Sequence, residues 1–132
     1  MTLVDSNVLI DLLGNDRNWL DWSTEAMDRS AAQGPLLINE LVFAELAVRS
    51  TSEEALMRDL ANLAVSIERI PVSALYLAGK VFARYRATGG TRASLLPDFF
   101  VGAHAQIARM TILTRDARRY RTHFPAVPLI TP

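Results

Sequence analysis

The chain has 132 residues, half of them apolar and 21% charged, a length that suits one domain burying roughly two-thirds of its unfolded surface without a metal or disulfide staple. It has no cysteine, and its two histidines, His104 and His123, lie too far apart for a helical zinc motif; disulfide frameworks, thiolate zinc sites, iron–sulfur clusters and cysteine nucleophiles are excluded. Formal net charge is zero, yet residues 1–79 carry five arginines against twelve acids, and residues 80–121 carry nine basic residues against only Asp98 and Asp116, a polarity that points to a polyanion partner.

The first residues lack a cationic start, and Asp11 breaks the apolar run from Val8 to Leu13. Neither a signal peptide nor a membrane span is expected, which suits a soluble cytoplasmic chain. Thr2 to Val4 reads as a short strand ending at Asp5, and Ser6 to Leu13 as a helix closed by Gly14. A second helix is expected from about Asp16 to Gln33, stopped by Gly34-Pro35. Leu36 to Ile38 is the next strand, followed by a helix over Glu40 to Arg49. Thr51 with Glu54 has the capping-box form and opens a helix whose apolar face is Leu56, Met57, Leu60, Leu63 and Ala64. Ser66 to Ile70 reads as a third strand. Ser73 is expected to cap a helix running to Ala87, with Leu75, Ala78, Val81, Phe82 and Tyr85 inward. After a loop from Gly89 to Pro97, Asp98 opens a helix to about Arg109. Thr111 to Thr114 is a strand, Ala117 to Tyr120 a helical turn, and Val127 to Ile130 a last short strand. Strands alternating with helices predict a three-layer α/β sandwich, with a central, mainly parallel sheet of four or five strands formed by residues 1–132 as one domain.

In an open parallel sheet, ligands bind beyond the carboxyl ends of the strands. Asp5 follows the first strand, Glu45 lies in the helix after the second, Asp98 begins the helix that feeds the fourth, and Asp116 follows the fourth. Each aspartate also has a plain reading as a helix or turn cap. Glu45 is harder to dismiss, because every other residue from Leu41 to Val48 is apolar; its plain reading is an ion pair with Arg49 one turn on. Four like charges at one rim would repel unless a cation neutralised them. Oxygen-only ligands select magnesium or manganese, which can activate water for attack on a phosphodiester. Arg84, Arg86, Arg92 and Arg115 are the expected phosphate contacts, so binding should weaken with salt.

The segments Asp5-Ser6-Asn7-Val8-Leu9-Ile10-Asp11, Phe43-Ala44-Glu45-Leu46, Pro97-Asp98-Phe99-Phe100-Val101-Gly102-Ala103 and Ile112-Leu113-Thr114-Arg115-Asp116, in this order, resemble the PIN-domain nucleases, specifically the VapC toxins of bacterial toxin–antitoxin pairs. The resemblance spans essentially the whole chain. It implies a PIN-like fold and an endoribonuclease whose metal is held by Asp5, Glu45, Asp98 and Asp116, with Asn7 and Thr114 as supporting polar groups and Glu45 ligating directly or orienting a water. It also implies RNA as substrate, a homodimer and a cognate antitoxin. Glu40, at the second strand's exit, competes with Glu45 for its assignment.

Two other readings are weighed. A phosphotransfer enzyme of the haloacid-dehalogenase type also has an aspartate after its first strand. It wants a second one two residues later, where this chain has Asn7, and a downstream lysine, whereas the only lysine, Lys80, falls inside a predicted helix. A non-catalytic binding module would be favoured by a missing carboxylate, and none is missing. His104, Trp19, Trp22, Phe99 and Phe100 read as core or interface residues. Trp19, Trp22, Leu56, Met57, Leu60, Leu63, Phe82 and Tyr85 together suggest more apolar surface than one small domain covers.

Overall fold

The computed structural model describes residues 1–91 and 96–132. Five strands form one sheet: β1 (Thr2–Val4), β2 (Leu36–Ile38), β3 (Val65–Ile67), β4 (Thr111–Leu113) and β5 (Leu129–Ile130). Between them run α1 (Ser6–Leu13), α2 (Leu20–Gln33), α3 (Glu40–Ala47), α4 (Glu53–Asn62), α5 (Val72–Ala87), α6 (Pro97–Ala108) and α7 (Arg118–His123). Every pairing is parallel and the strand order is β3-β2-β1-β4-β5. The expected mainly parallel sheet is therefore wholly parallel.

Such a sheet needs apolar cover on both faces. Right-handed crossovers put α1 to α4 on one face and α5 to α7 on the other. The helix contacts agree: α1 touches α2 and α3, α3 touches α4, α5 packs along α6, and α6 meets α7. Leu3, Val4, Ile38, Ile112 and Leu113 are sealed from solvent between the layers. Chain order reverses between β1 and β4, so the carboxyl ends of these two neighbours define the switch point where a ligand crevice is expected. Helix α3 also touches α6; Asn39, which caps α3 through Leu41 N and Val42 N, lies 3.4 Å from Nδ1 of the buried His104.

The boundaries move for local reasons. Asp16 does not begin α2; its Oδ1 accepts from Asn18 N and Trp19 N, making a side-chain turn that delays the helix to Leu20. Ser52, not Thr51, caps α4 by accepting from Ala55 N. Pro71 occupies the cap position of α5 and Leu96 that of α6, so neither Ser73 nor Asp98 is a cap. Strand β3 is Val65–Ile67 rather than residues 66–70, and α7 extends to His123. Leu75, expected inward, is 41% exposed, and Ala74 is buried in its stead. Of the eight residues expected to overload the core, only Met57 is an exposed large hydrophobe; the exposed apolar side chains instead include Val72, Leu75 and Tyr76 at the start of α5, and Val48 after α3.

Gly102 lies in α6 under the ring of Phe124, which a Cβ there would overlap. Gly102→Ala is therefore expected to destabilise the protein by about 1–3 kcal/mol through overpacking, against a helix-propensity gain of about 1 kcal/mol. Urea denaturation checks it; an unchanged midpoint would mean that Phe124 moves aside freely.

Candidate functional site

The switch point is built on Asp5. Its backbone N–H donates to Leu113 O, which ties the exit of β1 to β4. One carboxylate oxygen accepts from Ser6 N at 2.8 Å and so caps α1. The other accepts from the hydroxyls of Thr114 and Tyr120, each at 2.9 Å. Both hydroxyls are buried with it. Asn7 is a strut: its amide donates to Thr114 Oγ1 at 3.1 Å and its carbonyl oxygen accepts from Arg115 N at 3.1 Å. A carboxamide does not titrate, so Asn7 cannot supply the acid/base function that the phosphotransfer reading requires; here it braces Thr114 and the loop after β4.

The carboxylates act on one another. Burial pushes the Asp5 carboxyl above its ordinary range against three hydrogen bonds that lower it, and the charge of Asp116 raises it further. Burial also raises Glu45, followed by the charge of Asp5; a hydrogen bond with the Ser6 side chain opposes the rise, and Asp98 adds to it. The Tyr120 phenol is pushed well above its usual range by burial and then by the charges of Asp5, Asp98 and Glu45. Asp5 thus couples to Asp116 and to Glu45, and Glu45 couples in turn to Asp98, along the switch point. Glu45 makes no ion pair with Arg49 among the described residues. Glu40 points elsewhere, accepting from Ile70 N at 2.7 Å.

Two arginines of α7 meet the outer carboxylates. Arg118 gives two side-chain hydrogen bonds to Asp116, at 3.1 and 3.0 Å, and holds that carboxyl below its ordinary range. Arg119 approaches Asp98 at 3.3 Å. Among the described residues, no three Asp, Glu or His side chains stand close enough to enclose a metal ion as they lie. The donor set nevertheless fits a hard divalent cation: four carboxylates, no imidazole, and a mutual repulsion that such a charge would offset.

Arg115, an expected phosphate contact, is engaged within the fold. Its guanidinium grips Asp11 through Nε and Nη2, at 2.6 and 3.0 Å, beneath Trp19, whose ring centre is 4.8 Å away. Asp11 is fully buried and also accepts from the Ser23 hydroxyl at 2.8 Å. This tie makes Arg115 a brace for the loop after β4, with its side chain 26% exposed. Arg84 and Arg86 are exposed near the end of α5, and Arg92 lies outside the described residues. Tyr120, Arg118, Arg119 and the Asp11–Arg115 brace were not singled out from the sequence. The only cue was the charge density of residues 115–121.

The carboxylate coupling yields a pH test. The native pKa of Glu45 is raised, so its charged form costs stability; that cost is absent below the unfolded value near 4.5 and grows as pH rises through the native value. Glu45→Gln should therefore melt higher than the parent at pH 7.5 in chelator, with the gap closing toward pH 4. Equal melting curves at both pH values would remove Glu45 from the charged cluster.

The PIN domain family matches residues 2–125 of the chain. No curated protein matches it significantly. Among solved structures it is similar to VapBC2 from Rickettsia felis bound to a promoter DNA fragment, with TM-score 0.75 and 15% identity over 99% of this chain and 98% of that one. A toxin–antitoxin complex from Klebsiella pneumoniae gives TM-score 0.71 and 23% identity over 100% and 98%, and VapBC-1 from nontypeable Haemophilus influenzae gives 0.72 and 16% over 98% and 96%. At these identities the likeness is one of fold. With the family matched along nearly its whole length, the chain belongs to the PIN-domain family.

Proposed function

We propose that the chain is a divalent-metal-dependent endoribonuclease, the VapC-like toxin of a toxin–antitoxin pair. The observation that supports this reading is the chain of charge couplings Asp116–Asp5, Asp5–Glu45 and Glu45–Asp98 at the switch point of a PIN-domain sheet. Asp5, Asp98 and Asp116 would hold magnesium or manganese, with Glu45 at the edge of the site as a ligand or as the group that orients a water. When bound, the cation supplies an activated water and offsets charge on the phosphate under attack. Thr114 and Tyr120 fix the Asp5 carboxylate, while Asn7 holds Thr114 in place. As the group that orients the water, Glu45 would accept that water's proton on its carboxylate, whose proton affinity burial raises.

The similarity to toxin–antitoxin complexes supports an antitoxin partner. Val72, Leu75 and Tyr76, exposed on the opening turns of α5, support a self-complementary homodimer face. No helix among the described residues is long and apolar enough to cross a membrane.

The test is direct. The purified chain should cut RNA with Mg²⁺ or Mn²⁺ and stop in chelator, and sequencing the new ends would give the target. Intact RNA under both metals would refute the ribonuclease reading. Light scattering should report twice the chain mass, and a strict monomer would refute the dimer.

A further inference from the structure

Two adjoining clefts run along α7 away from the carboxylate rim. The nearer, of about 240 Å³, is bounded by Asp116, Arg118, Arg119, Thr122 and His123. The farther, of about 400 Å³, lies between α5 and α7 and shares Thr122 and His123 with the first, adding Arg84, Tyr85 and Thr88. Arg118 with Thr122, and Arg119 with His123, are each spaced i, i+4, so this face of α7 continues from the rim into the farther cleft.

The chemistry changes along this path. Carboxylates border only the rim end: the described lining of the farther cleft has none, and Arg84 makes no ion pair among the described residues. Beside this cation stand the Tyr85 and His123 rings, 5.6 Å apart, the apolar Val81 and Pro125, and Thr88 and Thr122, whose hydroxyls donate to carbonyls of their own helices and keep lone pairs that can accept from a ribose or a base. A cation, hydroxyls and ring faces in a few hundred cubic ångströms suit a phosphate with its base. The Arg118–Asp116 pair at the mouth is largely exposed, so Arg118 can exchange partners at little cost.

We infer that the cleft between α5 and α7, lined by Arg84, Tyr85, Thr88, Thr122 and His123, seats one nucleotide of an RNA strand next to the phosphate held at the carboxylate rim, with Arg118 and Arg119 contacting the backbone between them. This inference rests on the ribonuclease reading. It adds the subsite that would hold the strand in register.

Binding tests it without cleavage. Fluorescence anisotropy of a labelled ten-nucleotide uridylate RNA, in chelator, is measured with the full chain, Arg84→Gln, and Arg58→Gln as a charge-matched control on the exposed face of α4. Arg84→Gln should raise Kd about tenfold and lower the salt slope by about 0.7, one phosphate's share on a single strand; Arg58→Gln should leave both near parental values. Titration of uridine monophosphate should shift the His123 ring resonances in the parent chain. Equal binding by Arg84→Gln and Arg58→Gln would overturn the subsite, as would tighter binding of the matching DNA strand. A chain that binds through Arg84 yet never cuts RNA keeps the subsite and loses the nuclease. A chain that cuts RNA with Arg84→Gln binding like the parent does the reverse.

Discussion

Asp98→Asn is expected to lower metal-dependent RNA cleavage by roughly a thousandfold, equivalent to about 4 kcal/mol at about 1.4 kcal/mol per tenfold. The amide preserves shape but removes the formal charge that a hard cation requires. Folding should survive, because Asp98 is not the cap of α6 and its pair with Arg119 is partly exposed; what α6 loses is a favourable charge in its first turn, worth about 0.3–1 kcal/mol. Asp98 is therefore a cleaner probe than Asp5, whose carboxylate also caps α1 and receives two buried hydroxyls. A second readout separates metal loss from damage: Mg²⁺ should raise the melting temperature of the parent and leave that of Asp98→Asn nearly unmoved. Undiminished cleavage by a folded Asp98→Asn protein would remove Asp98 from the centre.

The largest effect on stability is expected from Arg115→Ala. It leaves the fully buried Asp11, among the described residues, with the Ser23 hydroxyl as its one side-chain partner and strips the cation from beneath Trp19. Breaking a buried pair by removing one partner costs about 3–5 kcal/mol, because the stranded charge cannot recover its water. Against a total of about 5–15 kcal/mol, that is enough to bring a protein of this size near its unfolding threshold at body temperature. Removing both charges is a different matter: Asp11→Leu with Arg115→Met should recover most of the loss. Urea denaturation of the two single variants and the double variant closes the cycle. A loss under 1 kcal/mol for Arg115→Ala would mean that the pair does not anchor this corner.

The alternation of elements is legible in the chain because Gly34-Pro35, Pro71 and Pro97 punctuate it and the strands between are short apolar runs. Their boundaries are less legible: an Asx turn at Asp16 and the choice between Thr51 and Ser52 as cap are decided by backbone geometry, which composition does not carry. The carboxylates could be found because each follows a strand or opens a helix beside one. Of the groups around them, Thr114 and Asn7 come with the family resemblance, while Tyr120 and the Asp11–Arg115 tie are not legible, since Asp11 meets Arg115 across 104 positions of sequence and Tyr120 reaches Asp5 across 115. The Arg115 tie is hidden for the same reason: nothing near Arg115 in sequence points to the buried acid that it meets.

The central pairing of β1 with β4 has a consequence for synthesis. Strand β1 has one of its two neighbours at Thr111–Leu113, so half of its ladder must wait for a segment made much later. Loop closure over such a span is entropically slow compared with local contacts. Asp5 therefore emerges from the ribosome long before Thr114 and Tyr120 exist to fix it. Incomplete chains, whether stalled, truncated or still nascent, hold the first carboxylate without the groups that set it in place. The Asp5 carboxylate is therefore set in place late in synthesis, once β4 and α7 have followed it out.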